Sequence, residues 1–169
     1  MYVQEPLGGS GWTIGPQNGV GHVFIGLKEI NQTNPNQSIT QVFGFYPLEK
    51  TSLYGNNPST IKDNSSTDYT VSITYNVTPQ VFNSAINSAD YYATSAYDLN
   101  DFNCAGYVIN IINGVGLSLP KNKQHIGAPV GYTPGRLGKD LRDIKSSNPS
   151  RNDIIPCLST PAPLSKGPC

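Results

Sequence analysis

The chain has 169 residues, enough for one domain with a buried core. Hydrophobic residues make up 37%, charged residues only 13%, and the formal net charge is +0. That balance argues against a nucleic-acid-binding surface and against an acidic solvating tail, and no apolar run approaches the ~18 residues of a membrane span.

The chain opens Met1-Tyr2-Val3-Gln4-Glu5-Pro6, with neither the charged start nor the apolar stretch of a signal peptide. This leaves a cytoplasmic protein or a domain of a longer chain, and the low charge and abundant Asn resemble an exported bacterial domain. Residues 1–18 are rich in Gly and read as an irregular loop, with Trp12 as an anchor to the core or a wall of a cleft. Gly19 to Leu27, GVGHVFIGL, reads as a strand buried on both faces, His22, Phe24 and Gly26 on one and Val23, Ile25 and Leu27 on the other. The turn cluster 31–38 then joins it to a second strand, Ile39 to Tyr46, in a hairpin with a long loop. If that loop centres the hairpin, His22 faces Gly44 to Tyr46.

Residues 47–67 read as a long polar connection with at most one short element. Asp68 to Val77 alternates Tyr69, Val71, Ile73, Tyr75 and Val77 with Thr70, Ser72, Thr74 and Asn76, which predicts a strand with one covered and one wet face. Thr78-Pro79 opens a helix, Thr as N-cap and Pro at the first helical position. Its apolar face carries Phe82, Ala85, Ile86, Ala89, Tyr92 and Ala96, and it runs to about Thr94. Cys104 to about Asn113 reads as a buried helix stopped by Gly114, Gly116 and Pro120. Beyond Pro120 the periodicity fades. Leu137 to Ile144 has the content for one or two helical turns, and 145–169 reads as a polar surface wrap. The domain is therefore a single unit, 1–169, with its core over about 19–120 and a loop-rich extension over 121–169.

The cysteines are Cys104, Cys157 and Cys169. The last two are placed to close a loop in the tail, which would leave Cys104 as the free thiol. Cys104 stands in the first turn of an apolar helix. There the unpaired N–H groups and the helix dipole favour an anion, lower a thiol's pKa and offer donors to an oxyanion. A buried, inert structural thiol is the competing reading. A nucleophilic thiol needs an imidazole, and the chain has only two, His22 and His125. His125 falls in a loop, whereas His22 begins a buried strand between glycines that leave room for a substrate or another backbone. The preferred pair is Cys104 with His22. Two separated His and three scattered Cys have no zinc-ligand spacing, and no glycine-rich phosphate loop precedes a helix, so no metal or cofactor is expected.

Phe102-Asn103-Cys104-Ala105-Gly106-Tyr107-Val108 resembles the F-D-C-S-G-[LV]-V signature of NlpC/P60 cysteine peptidases, and Gly21-His22-Val23-Phe24-Ile25-Gly26-Leu27 resembles their histidine strand. The order is reversed, His before Cys, as in the circularly permuted papain-like branch that includes the lecithin-retinol acyltransferase-like and PPPDE families. Asn103-Cys104 is similar to the N-C pair of that branch. The likeness covers about residues 19–120. It implies an α+β fold with an antiparallel sheet packed on the nucleophile helix, Cys104 as nucleophile and His22 as general base and later acid. Tyr97 matches a tyrosine of the oxyanion region, and Asn103 joins the candidate cleft residues. The family's third polar residue has no obvious counterpart, since Phe43-Gly44-Phe45 offers no such side chain. A backbone carbonyl, Gln41 or Tyr46 takes that place, or the pair works as a dyad.

The implied chemistry is thiol-dependent hydrolysis of an amide bond. The expected substrate is a bacterial cell-wall peptide, and the setting a secreted or periplasmic effector or toxin domain with an immunity or inhibitor protein as partner. The alternatives are a lipid esterase or acyltransferase on the same pair, made less favourable by the lack of an anchoring segment, and a non-catalytic binding domain.

Overall fold

A computed structural model describes residues 1–16, 19–34, 37–49, 55–125 and 130–167. Part of the 31–38 turn, part of the 47–67 connection and Cys169 lie outside these residues.

The two strands of the predicted hairpin form as β2 (His22–Ile30) and β3 (Ser38–Pro47). Their antiparallel register sets Phe24 opposite Gly44 and Leu27 opposite Gln41. The polar connection contributes β4 (Ser59–Asp63), paired with β3. The opening residues are not a loop throughout: Tyr2–Gln4 form β1, a central strand between β2 and β5 (Asp68–Ile73). Three residues are too few to signal a strand by periodicity, but edges offered on both sides satisfy their backbone groups. The tail does not merely wrap the surface either, because Ile154–Pro161 form β8, which pairs with the outer edge of β5. The result is a six-stranded antiparallel sheet ordered β4-β3-β2-β1-β5-β8. Two short strands, β6 (Gln124–His125) and β7 (Val130–Gly131), pair separately.

Three helices complete this α+β fold among the described residues. The first, α1 (Pro79–Ala93), starts where Thr78 caps the Val81 amide. The second, α2 (Cys104–Gly114), is buried along nearly its whole length. The third, α3 (Pro134–Ser147), uses the same Thr-Pro device as α1, with the Thr133 hydroxyl accepting from the Arg136 amide. It replaces the one or two turns expected, and its fourteen residues make the C-terminal part more than an extension. Leu137, Leu141 and Ile154 all enter the main core.

That core lies between α2 and one face of the sheet. Val23, Ile25, Phe45, Val71 and Ile73 meet Tyr107, Val108, Ile109 and Ile111, with the Phe45 and Tyr107 rings stacked at 5.0 Å. Each such side chain contributes roughly 1.5–3 kcal/mol by leaving water. The opposite face carries a smaller cluster of Phe24, Val42 and Ala162, flanked by Tyr2 and Tyr69. Hence β2 is covered on both faces near its start. On β5 the expected wet face is not wet: Thr70 and Ser72 are buried. A bulge between Tyr69 and Val71 breaks the alternation, and Thr70 turns to bond the Glu5 carboxylate at 2.7 Å.

Glu5 is fully buried and ties the outer layer together. Its carboxylate accepts from Arg142 Nε at 2.9 Å and from the Gly9 amide, while Arg142 Nη2 donates to the carbonyls of Thr70 and Cys157. Gly138 on α3 is required beneath it, since a Cβ there would overlap the Glu5 side chain. One charge pair thus locks β1, β5, β8 and α3. No helix among the described residues is long and apolar enough to cross a membrane.

Candidate functional site

The site forms where β2 begins and α2 begins. Gly21 turns the chain into β2 with φ +74°, and a Cβ there would overlap the Gln4 carbonyl, so this glycine serves the approach of another backbone. At the head of α2, Asn103 caps the helix. Its Oδ1 accepts from the amides of Ala105 at 2.9 Å and Gly106 at 3.0 Å, and its Nδ2 donates to the carbonyls of Leu99 and Tyr132. All its polar capacity is therefore engaged in holding Cys104 in place, and Asn103 is not a donor to an oxyanion. For the same reason, the amides of Ala105 and Gly106 already have an acceptor.

The Cys104 side chain is 5% exposed. Its sulfur lies beside the backbone N–H groups of Val23, the residue after His22, of Ala105 and of Cys104, and beside the Tyr97 hydroxyl. Burial nevertheless outweighs these donors and pushes the thiol up to about 11. This reverses the depressed value expected from the helix N-terminus alone: the neighbouring donors lower the pKa, but desolvation is larger. Tyr97 is buried as well, and its oxygen meets both the amide and the sulfur of Cys104. Burial, then the neighbouring sulfur, holds its phenol protonated. The Cys104 amide and the Tyr97 hydroxyl are thus the donors beside the sulfur. A narrow slot leads to it between Thr13, Val20, Leu99, Tyr132 and Pro134, with no charged side chain on its walls.

His22 is 8% exposed, and its ring lies between two others, Tyr46 at 4.3 Å and Phe24 at 5.8 Å. Burial pushes the imidazole down to about 4. Its Nε2 points across the bare Cα of Gly44 toward Oδ1 of Asn64. Both atoms are buried, face each other short of full hydrogen-bond geometry and have no other partner. Asn64 favours the protonated ring, though less strongly than burial disfavours it. The other end of the amide is anchored, Nδ2 donating to the Tyr46 hydroxyl at 2.7 Å and to Thr67 Oγ1 at 3.3 Å. Tyr46 lies within electrostatic range of Cys104.

The structure sets Tyr97 and Asn103 beside Cys104 and Tyr46 over His22; the His22 ring lies with Phe24 on one face of β2, whereas Val23, on the face packed against α2, is the β2 residue beside the sulfur. It removes Gln41, which stands opposite Leu27, well along β2 from His22. His125 is exposed on β6, its carbonyl accepting from Thr13 Oγ1. Trp12 is 57% exposed and anchors no core. Cys157 is a free thiol directed at the Tyr69 carbonyl.

Sequence reasoning missed Asn64, which sits just past β4 in a stretch read as a polar connection. The signal was the glycine opposite it. A glycine inside an apolar strand marks a close approach, and at Gly44 a Cβ would lie 2.5 Å from Nε2 and 2.6 Å from Oδ1. No family model matches this sequence, and no match is found among curated proteins or solved structures.

Proposed function

We propose that the protein is a thiol-dependent hydrolase of amide bonds with Cys104 as nucleophile, His22 as base and acid and Asn64 as the third member. The permuted papain-like arrangement suggested by its motifs is the fold that such a site would use. The observation that supports this reading is that the Val23 amide, next in the chain to His22, and the Tyr97 hydroxyl lie beside the Cys104 sulfur, while the His22 ring faces Asn64.

Burial drives both thiol and imidazole toward neutrality, so the resting pair is uncharged and proton transfer accompanies attack. Nδ1 of His22 takes the thiol proton as sulfur bonds to the substrate carbonyl carbon, and the carbonyl electron pair moves to oxygen. The resulting oxyanion faces the Cys104 amide and the Tyr97 hydroxyl. Collapse breaks the C–N bond, and the imidazolium protonates the leaving amine. Water then enters: His22 removes its proton, hydroxide adds to the thioester, the C–S bond breaks and the thiolate recovers the proton.

The substrate class rests on the resemblance: a peptide of the bacterial cell wall, cleaved by an exported effector or toxin domain that an immunity protein would restrain. Purified muropeptides and phospholipid vesicles are the two substrates to compare, using wild type, Cys104→Ala and His22→Ala. Cleavage of muropeptide cross-bridges or stems, lost in both variants, supports the reading. Release of fatty acid alone redirects it to lipid ester chemistry. Cys104 that reacts with no thiol-directed acylating probe, alone or after His22→Ala, leaves only the binding-domain reading.

A further inference from the structure

Past the C-terminal end of α2, Ile73, Leu119, Leu141, Ile144 and Ile154 wall a cavity of about 360 Å³ between β5, β8, α3 and the 118–120 loop. All but Ile144 are buried in the main core. Interiors are close-packed, so a hollow of this size among core side chains is an exception. Its size falls in the range of small-molecule sites, which are apolar with a few placed polar groups. It is separate from the Cys104 slot: the two share no lining residue, and the 11 residues of α2, roughly 16 Å of helix, lie between them.

The wall also carries Tyr75 and Arg151. The Tyr75 hydroxyl donates to the Ser118 carbonyl at 2.7 Å and so fixes the loop on one side of the cavity. Arg151 gives Nε and Nη2 to Asp153 at 2.8 and 2.7 Å. A guanidinium has five N–H donors, so those on its other edge remain, and they have no partner among the described residues. Lys145 Nζ donates to the carbonyls of Pro149 and Arg151 at 2.8 and 2.9 Å, and its charge reaches Asp153. Two cations against one carboxylate leave this side of the cavity with a net positive charge.

We infer that this cavity is a second binding site, which takes a free aliphatic carboxylate: the chain lies among the Ile and Leu side chains, and the carboxylate accepts from the remaining donors of Arg151. The walls are branched aliphatic with a single aromatic ring, so they suit a flexible chain better than a stacked flat ring. A carboxylate matches the fork of a guanidinium, and the net charge matches a monoanion. The inference goes beyond the hydrolase reading and uses neither Cys104 nor His22.

The test uses decanoate at pH 7, below its micelle-forming concentration, and decylammonium, which has the same chain length and the opposite charge. Methyl NMR spectra locate binding, and titration of the shifts gives the affinity, in wild type and in Arg151→Gln. The Arg151–Asp153 pair is part-exposed, so its loss should leave the fold intact, which a thermal melt checks. Decanoate should shift the methyls of the five aliphatic wall residues, bind wild type more tightly than decylammonium does, and lose about tenfold in affinity in Arg151→Gln. Decylammonium should gain in that variant, because Asp153 is left without its partner. Wall methyls that decanoate does not move overturn the inference. So does equal decanoate affinity in wild type and Arg151→Gln, which would mean a hollow that does not read charge. If the variant does not fold, the wild-type preference decides, and its absence overturns the inference as well.

Discussion

Replacing Gly44 by Ala tests whether the His22–Asn64 approach serves Cys104. Gly44 has ordinary extended backbone, so Ala adds a methyl without backbone strain. That methyl would lie 2.5 Å from His22 Nε2 and 2.6 Å from Asn64 Oδ1. Ordinary contact begins near 3.4 Å, so the side chains must retreat by roughly 0.9 Å, a displacement of the size that costs about 10²-fold in reactions that depend on positioned groups. Neither side chain has free room, with His22 between the rings of Tyr46 and Phe24 and Asn64 held by Tyr46 and Thr67. Overpacking should also cost about 1–3 kcal/mol of stability, a fall of roughly 2–12 °C in melting temperature for a chain of this size. The assay is the rate at which an acylating or alkylating probe labels Cys104, set beside the thermal melt. Gly26→Ala is the control: its Cβ would crowd the Tyr2 ring at 2.9 Å, on the same strand face as His22 but remote from the sulfur. It should lower the melting temperature and leave labelling unchanged. If Gly44→Ala loses stability to the same degree as Gly26→Ala yet labels at the wild-type rate, then His22 and Asn64 do not act on Cys104, and the site as drawn is wrong.

Cys104, with its thiol pushed up to about 11, should alkylate at pH 7 more slowly than a free cysteine in a peptide, and its rate should go on rising with pH beyond 9; a plateau near pH 7 in a rate-versus-pH series would show a thiolate instead. His22 is held neutral down to about pH 4, while an unfolded chain binds this proton near 6.5. The unfolded state therefore takes up the proton first as pH falls, and stability should decline from about pH 6.5 to pH 4 by roughly 3 kcal/mol. Urea unfolding of wild type and His22→Asn at both ends of that window checks this, since the substitution should remove His22's share of the slope. Arg142→Ala should cost about 3–5 kcal/mol because it strands the fully buried Glu5 carboxylate. Glu5→Gln combined with Arg142→Met should recover much of that loss, as read from denaturant midpoints. Asn103→Ala should cost about 1–2 kcal/mol for the lost cap and slow Cys104 labelling, because the same amide also ties α2 to Leu99 and Tyr132.

The elements with many residues behind them were legible in the chain itself. The alternation of β2 and β3, the Thr78-Pro79 start of α1 and the apolar run of α2 announce themselves through spacing of 2.0 or 3.6 residues and through capping chemistry. Sequence also singled out Cys104, His22 and Tyr97, because a thiol at a helix start, an imidazole at a strand start and a nearby tyrosine are local features. Thr133-Pro134 carried the same start signal as Thr78-Pro79, yet the polar residues of α3 hid its length.

What only the folded chain decided was everything that depends on partners distant in sequence. Tyr2–Gln4 became a central strand because β2 and β5 each offer it an edge, and Ile154–Pro161 became β8 because β5 had one left. Glu5 is buried only because Arg142, far along the chain, reaches it. Asn64 meets His22 only through the register that sets Gly44 opposite Phe24 and brings the end of β4 alongside. The ionisation of Cys104 follows the same rule. A helix start is written in the sequence and lowers a thiol's pKa, but burial comes from the assembled core and raises it further, so the sign of the shift belongs to the tertiary structure.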